Sequence, residues 1–275
     1  MKKYFLSFGL LLTVGLATIV FNSCGDENND PTQEQNNNPK DDPKDDPKDP
    51  LTYDEGVVIN GIRWATRNVA SHGKFVENPE EHGALFQWGR TGDGHEQRTS
   101  PSYPTNDTSF ESGTVSDAAA FDVNGQIVNT HAAYGKFIKD NQKGLWRSPQ
   151  NDALWNSGTA TAPVKTVNDP CPRGWRVPTQ AEYQSLVDAG SKWTNTSVAG
   201  RIFGGGDNTL FLPAASYRGF SHGAINYIDT GGEYWSSTVY DDGAAYALGF
   251  GSNYVNCSGN YRYCRGLSVR CVAEE

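Results

Sequence analysis

The chain has 275 residues, 36% of them hydrophobic and 20% charged, and a formal net charge of −9. Thirty glycines, fourteen prolines and seven tryptophans supply too many turns and large apolar anchors for a helix bundle, and they suit a loop-rich fold that contains strands. The acidic balance excludes a nucleic-acid binder, which needs a basic face, although Asp26 to Pro50 alone carries nine acidic and three basic side chains and the rest is only mildly acidic.

The N-terminus sets the compartment. Lys2 and Lys3 precede an apolar run from Tyr4 to Phe21, and Asn22-Ser23-Cys24-Gly25 follows. A basic start, an apolar stretch and a small residue before a cysteine read as a secretory signal. The alternative is a retained anchor helix, since a span takes roughly 20 residues, but Ser7, Gly9, Thr13, Gly15 and Thr18 dilute the run. The segment resembles a bacterial lipoprotein signal, with Phe21 where leucine is usual. The resemblance implies that residues 1–23 are removed and that Cys24 is lipidated, so the membrane is met through the lipid anchor only. Residues 24–50 are Asn, Asp, Gln, Lys and Pro with almost nothing to bury, and they read as a disordered acidic tether. Asp26 and Glu27 resemble the surface-export signal of some Gram-negative lipoproteins, which implies an outer-membrane protein facing outward.

Residues 51–275 read as one domain, long enough to bury a sizeable core. Val57 to Val69 predicts a hairpin, because Asn60-Gly61 is the pair a two-residue type I′ turn requires, and Trp64 should point inward. Gly83 to Arg90 is a second apolar stretch, with Phe86 and Trp88 two apart. Thr91 to Gly125 is polar and turn-rich and predicts a long surface excursion. In His131 to Asp140, Tyr134, Phe137 and Ile138 stand at helical spacing and predict a short helix. Trp146 and Trp155 follow in loop-like surroundings.

Asn168 to Gly190 holds the strongest local signal. Thr179 caps a helix with its hydroxyl, and Glu182, three residues on, reaches back to the Thr179 N–H. Pro178 discourages an earlier start, Tyr183, Leu186 and Val187 form one apolar face, and Gly190 supplies the stop. Trp175 and Val177 read as core anchors. Cys171 is expected to pair with Cys271 in the last apolar run, LSVRCVA; the alternative, two buried thiols, is disfavoured in an oxidising location. Trp193 is expected against the helix end. Leu210 to Ser216, Tyr234 to Thr238, Ala244 to Phe250 and Leu267 to Ala273 read as strands, the last two as antiparallel neighbours joined by Gly251 to Gly266.

As an ordered set, INGIRWATRN, CPRGWRVPTQAEY, FLPAASYR, YWSSTVYDDGAAYALGF and LSVRCV resemble the Fibrobacter succinogenes major paralogous domain from about Val57 onward. The resemblance implies an α+β, C-type-lectin-like fold in the branch shared with formylglycine-generating enzymes. That means a small twisted antiparallel sheet, two helices and long irregular loops, disulfide-stapled, presenting a variable ligand-binding surface on a fixed frame. It further implies a target for a diversity-generating retroelement, which scatters Tyr, Asn, Ser, Asp, Gly and Cys over the C-terminal segment.

Function lives in a site rather than a fold. Apart from AAYALGF, Tyr240 to Arg265 is dominated by Tyr, Asn, Ser, Gly and Asp. Tyrosine offers a rigid amphipathic surface, and Asn, Ser and Gly add adaptable hydrogen bonds. Exposed aromatics and arginines dominate binding hot spots. The expected ligand face is therefore Tyr240, Asp241, Asp242, Asn253, Tyr254, Asn256, Asn260, Tyr261, Arg262, Tyr263 and Arg265; the plainer reading is a solvent-exposed hairpin connection. Cys257 and Cys264 enclose SGNYRY and are expected to form a second disulfide clamping a hairpin tip, with two unpaired thiols as an alternative. A redox pair like that of formylglycine-generating enzymes is more closely spaced than C-x6-C, and no histidine lies nearby to activate a thiolate. Asp241, Asp242, Glu233, Asp207 and Asn208 are the nearest to a calcium set, and His72, His82, His95, His131 and His222 show no metal-ligand spacing. The expectation is a cell-surface lipoprotein, not an enzyme and without cofactor or metal, whose domain binds an extracellular glycan or protein. The alternatives are an adhesive or structural component of an assembly such as a pilus tip and, remotely, a copper-dependent cysteine oxidase.

Overall fold

A computed structural model describes residues 49–105 and 112–274. The signal segment, Cys24 and nearly all of the tether therefore lie outside the described residues. Among the described residues no helix is long and apolar enough to cross a membrane.

The chain opens with strands β1 (Val57–Ile59), β2 (Ile62–Ser71) and β3 (Lys74–Phe75). The β1–β2 turn is the expected one: Asn60 and Gly61 have φ of 50° and 83°, the left-handed pair of a type I′ connection. Three two-residue strands follow, β4 (Phe86–Gln87), β5 (Ser102–Tyr103) and β6 (Phe137–Ile138), with a 3-10 turn at Ala118–Ala120. Next come β7 (Trp175–Arg176), helix α1 (Gln180–Asp188), β8 (Ser191–Thr194), β9 (Gly200–Gly205) and β10 (Asn208–Pro213). The C-terminal part holds β11 (Tyr217–Arg218), β12 (Ile225–Asn226), β13 (Gly231–Asp241), β14 (Ala244–Gly251), β15 (Val255–Arg262), β16 (Gly266–Leu267) and β17 (Arg270–Ala273).

Five small sheets result among the described residues. One has the order β1-β2-β17-β7, with β3 on β2; the others are β10-β9-β8, β12-β11-β16-β4, β13-β14-β15 and the pair β5-β6. The last strand is thus central, antiparallel to both β2 and β7. Cys171 and Cys271 are bonded, with Cα atoms 6.0 Å apart, and so fix the approach to β7 and α1 onto β17. Arg270 is fully buried beside them, its Nε donating to Asn68 Oδ1 at 3.0 Å and its Nη1 to the Ala65 carbonyl at 3.1 Å.

Two apolar clusters form the core. The larger holds Trp88, Trp146, Trp155 and Trp235. Buried backbone carbonyls need donors, and the indoles supply them: Trp88 donates to Ser236 O (2.9 Å), Trp146 to Trp88 O (2.7 Å), Trp155 to Arg90 O (3.1 Å) and Trp235 to Phe86 O (2.7 Å). The second cluster seats α1 through Tyr183 and Leu186 on Trp64, Phe203, Leu212, Tyr234 and Phe250, with Trp193 packed at its edge. Helix α1 starts with the capping box read from the sequence, Thr179 accepting from Glu182 N and Glu182 from Thr179 N.

The structure overturns the α+β, two-helix, single-sheet expectation. The described residues are mostly β, 39% strand against 5% helical, with one α-helix and several small antiparallel sheets. Helical spacing misleads at Tyr134, Phe137 and Ile138: Phe137 and Ile138 are buried in β6, parallel to β5, while Tyr134 is exposed. The connection between Gly251 and Gly266 contains β15, which occupies the place beside β14 expected for the final strand; β17 pairs with β2 and β7 instead. Part of the expected surface excursion is interior, since His95, Glu96, Ser100, Val115 and Ala120 are all buried.

Candidate functional site

The β13–β14–β15 meander carries the segment expected to meet a ligand. Its register places Asp241, Ala244 and Arg262 at one end and Gly231, Gly251 and Val255 at the other. At about 3.4 Å per residue the eight residues of β14 separate the two ends by roughly 24 Å. The expected face is thereby divided. At the first end Tyr240 meets Tyr246 edge to face at 5.1 Å, and Arg262 Nη1 donates to Asp242 O at 2.9 Å with Asp241 Oδ1 3.9 Å away. Asn256, Asn260 and Arg262 are exposed along β15, and Asn253 is exposed in the turn before it.

Tyr263 is not part of any surface. It is 2% exposed, stacks on Trp88 at 4.3 Å and donates its hydroxyl to Asp152 Oδ1 at 2.8 Å. Burial and that carboxylate push its phenol well up from its ordinary range.

At the second end the side chains converge. Tyr254 and Tyr261 meet Arg265, together with Tyr217, Tyr227 and Glu233, around a cleft of about 210 Å³. Tyr261 pairs with Ala245 near the first end, and its phenol runs back over Gly249 and Gly259, where a Cβ would stand 3.5 Å from its hydroxyl, toward the cleft. Gly251 leaves room for the Tyr254 ring, since a Cβ there would sit 2.6 Å from it and displace it. The Arg265 guanidinium is held between two rings, 3.5 Å from the Tyr217 centroid and 4.3 Å from the Tyr261 centroid. Its Nη2 donates to Glu233 Oε1 at 2.9 Å and lies 2.9 Å from Oε2. Glu233 Oε2 and Arg265 Nε are buried with no directed hydrogen-bond partner. Burial pushes the Glu233 carboxyl up to about 7, against the pull of Arg265 and of the Tyr261 hydroxyl. Tyr227 and Tyr254, 64% and 52% exposed, form the open rim.

The arrangement offers flat phenol faces for stacking and, at the floor, a charge-compensated donor and acceptor. Polar and aromatic groups converging on a concavity are the usual make-up of a ligand site. Sequence reading named Tyr254, Tyr261 and Arg265 and missed Tyr217 and Tyr227; Glu233 was singled out only as a calcium candidate. Tyr217 stands in the FLPAASYR block, but a two-residue strand gives no periodicity to show where its ring goes. A larger cavity of about 850 Å³, lined among others by Glu80, His82, Arg98 and Asp229, has no aromatic wall, so it lacks the stacking surface.

The expected Cys257–Cys264 disulfide is absent: both are free, buried thiols. Residues 255–262 run extended as β15 rather than folding into a tip, and five residues at about 3.4 Å already exceed the Cα separation a disulfide tolerates. Cys257 packs under α1, with Sγ 3.0 Å from Gln184 Oε1, while Cys264 belongs to the other cluster. Burial pushes both thiols up, the opposite of what a reactive cysteine needs.

Among the described residues the group of His, Cys, Asp or Glu side chains close enough to share a metal ion is Asp93, His95 and Glu96. Their lone pairs are already engaged. His95 Nδ1 is 2.7 Å from Asp93 Oδ1, its Nε2 accepts the Gln87 N–H at 3.1 Å, Asp93 also pairs with Arg90, and Glu96 Oε2 accepts the Gly94 N–H at 2.9 Å. This is a buried structural network that ties the 90–96 segment to β4.

Comparison of the chain with protein-family models, with characterised proteins and with solved structures finds no match in any of the three.

Proposed function

We propose that this chain is a lipid-anchored cell-surface protein whose folded domain binds an extracellular glycan or protein without chemical conversion. The observation that carries the reading is the cleft at the open end of the β13–β15 meander, where Tyr217, Tyr227, Tyr254 and Tyr261 surround the Arg265–Glu233 pair. Rigid aromatic rings beside an arginine are the residue types that dominate binding energy, and here two of the rings are exposed at the rim. The Cys171–Cys271 bond supports an oxidising compartment. The two high-pKa thiols weigh against cysteine oxidation as the activity. The test is an array of glycans and surface proteins probed with the protein and with the double variant Tyr227→Ala, Tyr254→Ala. These rings are exposed, so the variant should fold, and it should lose tenfold or more of any specific signal. Equal signals from the two proteins would remove the cleft from consideration.

A further inference from the structure

The cleft has a neighbour. A second cavity, of about 330 Å³, is lined by Ser221, His222, Ala224 and Asn226, and it shares Tyr217 and Arg265 with the first. Consecutive residues Asn226 and Tyr227 line one cavity each. The Tyr217–Arg265 stack is therefore a partition between two adjoining concavities, and the segment from β12 onward is their common rim.

The second cavity is preorganised. Gly219 N donates to Ala224 O at 2.8 Å and Gly223 N to Gly219 O at 2.9 Å, closing the turn that forms its wall. Buried Arg218 anchors that turn, with Nε on Gly223 O at 2.8 Å and its Nη atoms on Ser100 Oγ at 2.6 Å and Ser100 O at 2.8 Å. Gly223 has φ +68°, and a Cβ there would stand 2.4 Å from Ser102 Oγ. A fixed concavity loses little entropy when it is filled.

From this juxtaposition we infer that the two cavities are adjacent subsites for one neutral carbohydrate chain, each taking one sugar ring, with the Tyr217–Arg265 stack beneath the linkage. The inference rests on the cleft being a binding site and names the class of its ligand. Size supports it: at about 210 Å³ and 330 Å³ the cavities stand below and at the lower end of the about 300–1,000 Å³ span of small-molecule pockets, room for one ring-sized group each. Chemistry supports a sugar over a peptide. No aliphatic side chain lines the first cavity, and in the second the apolar side chains are the Phe220 ring and the single methyl of Ala224, so branched peptide side chains find no aliphatic pocket while a flat ring finds an aromatic wall in both. Phenol faces suit the C–H face of a pyranose, and Glu233, Asn226, Ser221 and His222 offer partners to its hydroxyls. At pH 8, where Glu233 is ionised, it compensates Arg265 at 2.9 Å, so the partition presents no net charge to select an anionic chain.

The test is calorimetric titration of the protein with four ladders of one to four rings: cello-, xylo-, manno- and chito-oligosaccharides. In at least one ladder the affinity should rise tenfold or more from one ring to two and less than twofold per ring after that. The double variant Ser221→Ala, His222→Ala, with both side chains clear of the two core clusters, should bring the disaccharide down toward the affinity of a single ring. If one and two rings bind alike, the second subsite is refuted while the cleft stands. If no ladder binds but an array protein does, and Tyr227→Ala, Tyr254→Ala abolishes that signal, the carbohydrate assignment is overturned and the binding reading survives. If neither a sugar nor a protein gives a signal sensitive to those two rings, both are overturned.

Discussion

Replacing Arg265 by alanine should destabilise the protein by an amount that depends on pH, and the direction follows from Glu233. Burial raises this carboxyl from its ordinary 4.5 to about 7. A folded-state value above the unfolded one means that folding favours the proton: the stabilisation is full below about pH 4.5, is lost as pH rises through about 7, and amounts to about 3 kcal/mol. At pH 8 the carboxylate is ionised, and Arg265 is the cation that compensates it at 2.9 Å. Removing one partner of a buried pair costs about 3–5 kcal/mol, because the remaining charge stays unpaired or must take up a proton. At pH 5 the carboxyl is neutral in both proteins, and the variant loses mainly the two ring contacts of the guanidinium, about 1–2 kcal/mol together. Urea unfolding followed by tryptophan fluorescence at pH 5 and pH 8 measures both losses. A loss that is equal at the two pH values, or larger at pH 5, would refute the account of the pair.

Three further outcomes are expected. The double variant Cys171→Ala, Cys271→Ala opens a loop of sequence separation 100, which loop-closure entropy values at about 4.7 kcal/mol; a loss below about 1 kcal/mol in urea unfolding would show that the cross-link constrains little. Glu182→Gln weakens both the capping box and the 2.6 Å ion pair with Arg176, so it should cost about 1–2 kcal/mol, whereas a neutral outcome would leave the helix start without its assigned anchor. In a Cys24→Ser form, a thiol reagent should label nothing in the native protein and two cysteines after unfolding; rapid native labelling of Cys257 or Cys264 would contradict their burial.

Where specification is local, the sequence was legible. The Thr179–Glu182 box, the Asn60-Gly61 turn and the Gly190 stop each depend on residues within a few positions of one another, and each is where it was expected. The Cys171–Cys271 pair was readable because few cysteines compete for partners. Strand β15 was not, although its burial alternates with Val255, Cys257, Gly259 and Tyr261 turned inward and Asn256, Ser258, Asn260 and Arg262 outward, because Gly, Asn and Ser fill half of it and give it the composition of a loop. Its pairing, for example Tyr246 with Asn260, is imposed by the neighbouring strand. The cleft was half legible for a related reason. Tyr254, Tyr261 and Arg265 cluster in sequence, but Tyr217 and Tyr227 arrive on segments too short to carry a periodicity. Tyr263 shows the limit of composition, since the same tyrosine-rich run supplies a rim residue at 254 and a core residue at 263.

The interior position of β17 has a consequence for biogenesis. While a ribosome is still making residues 200–260, β2 and β7 have no strand to bridge them, and Cys271, the partner of Cys171, has not been made. The sheet that joins β1, β2 and β7 therefore closes only when the final segment is delivered. A product cut short before residue 270 keeps an open β2 edge that invites pairing with other chains, so incomplete molecules are steered toward aggregation.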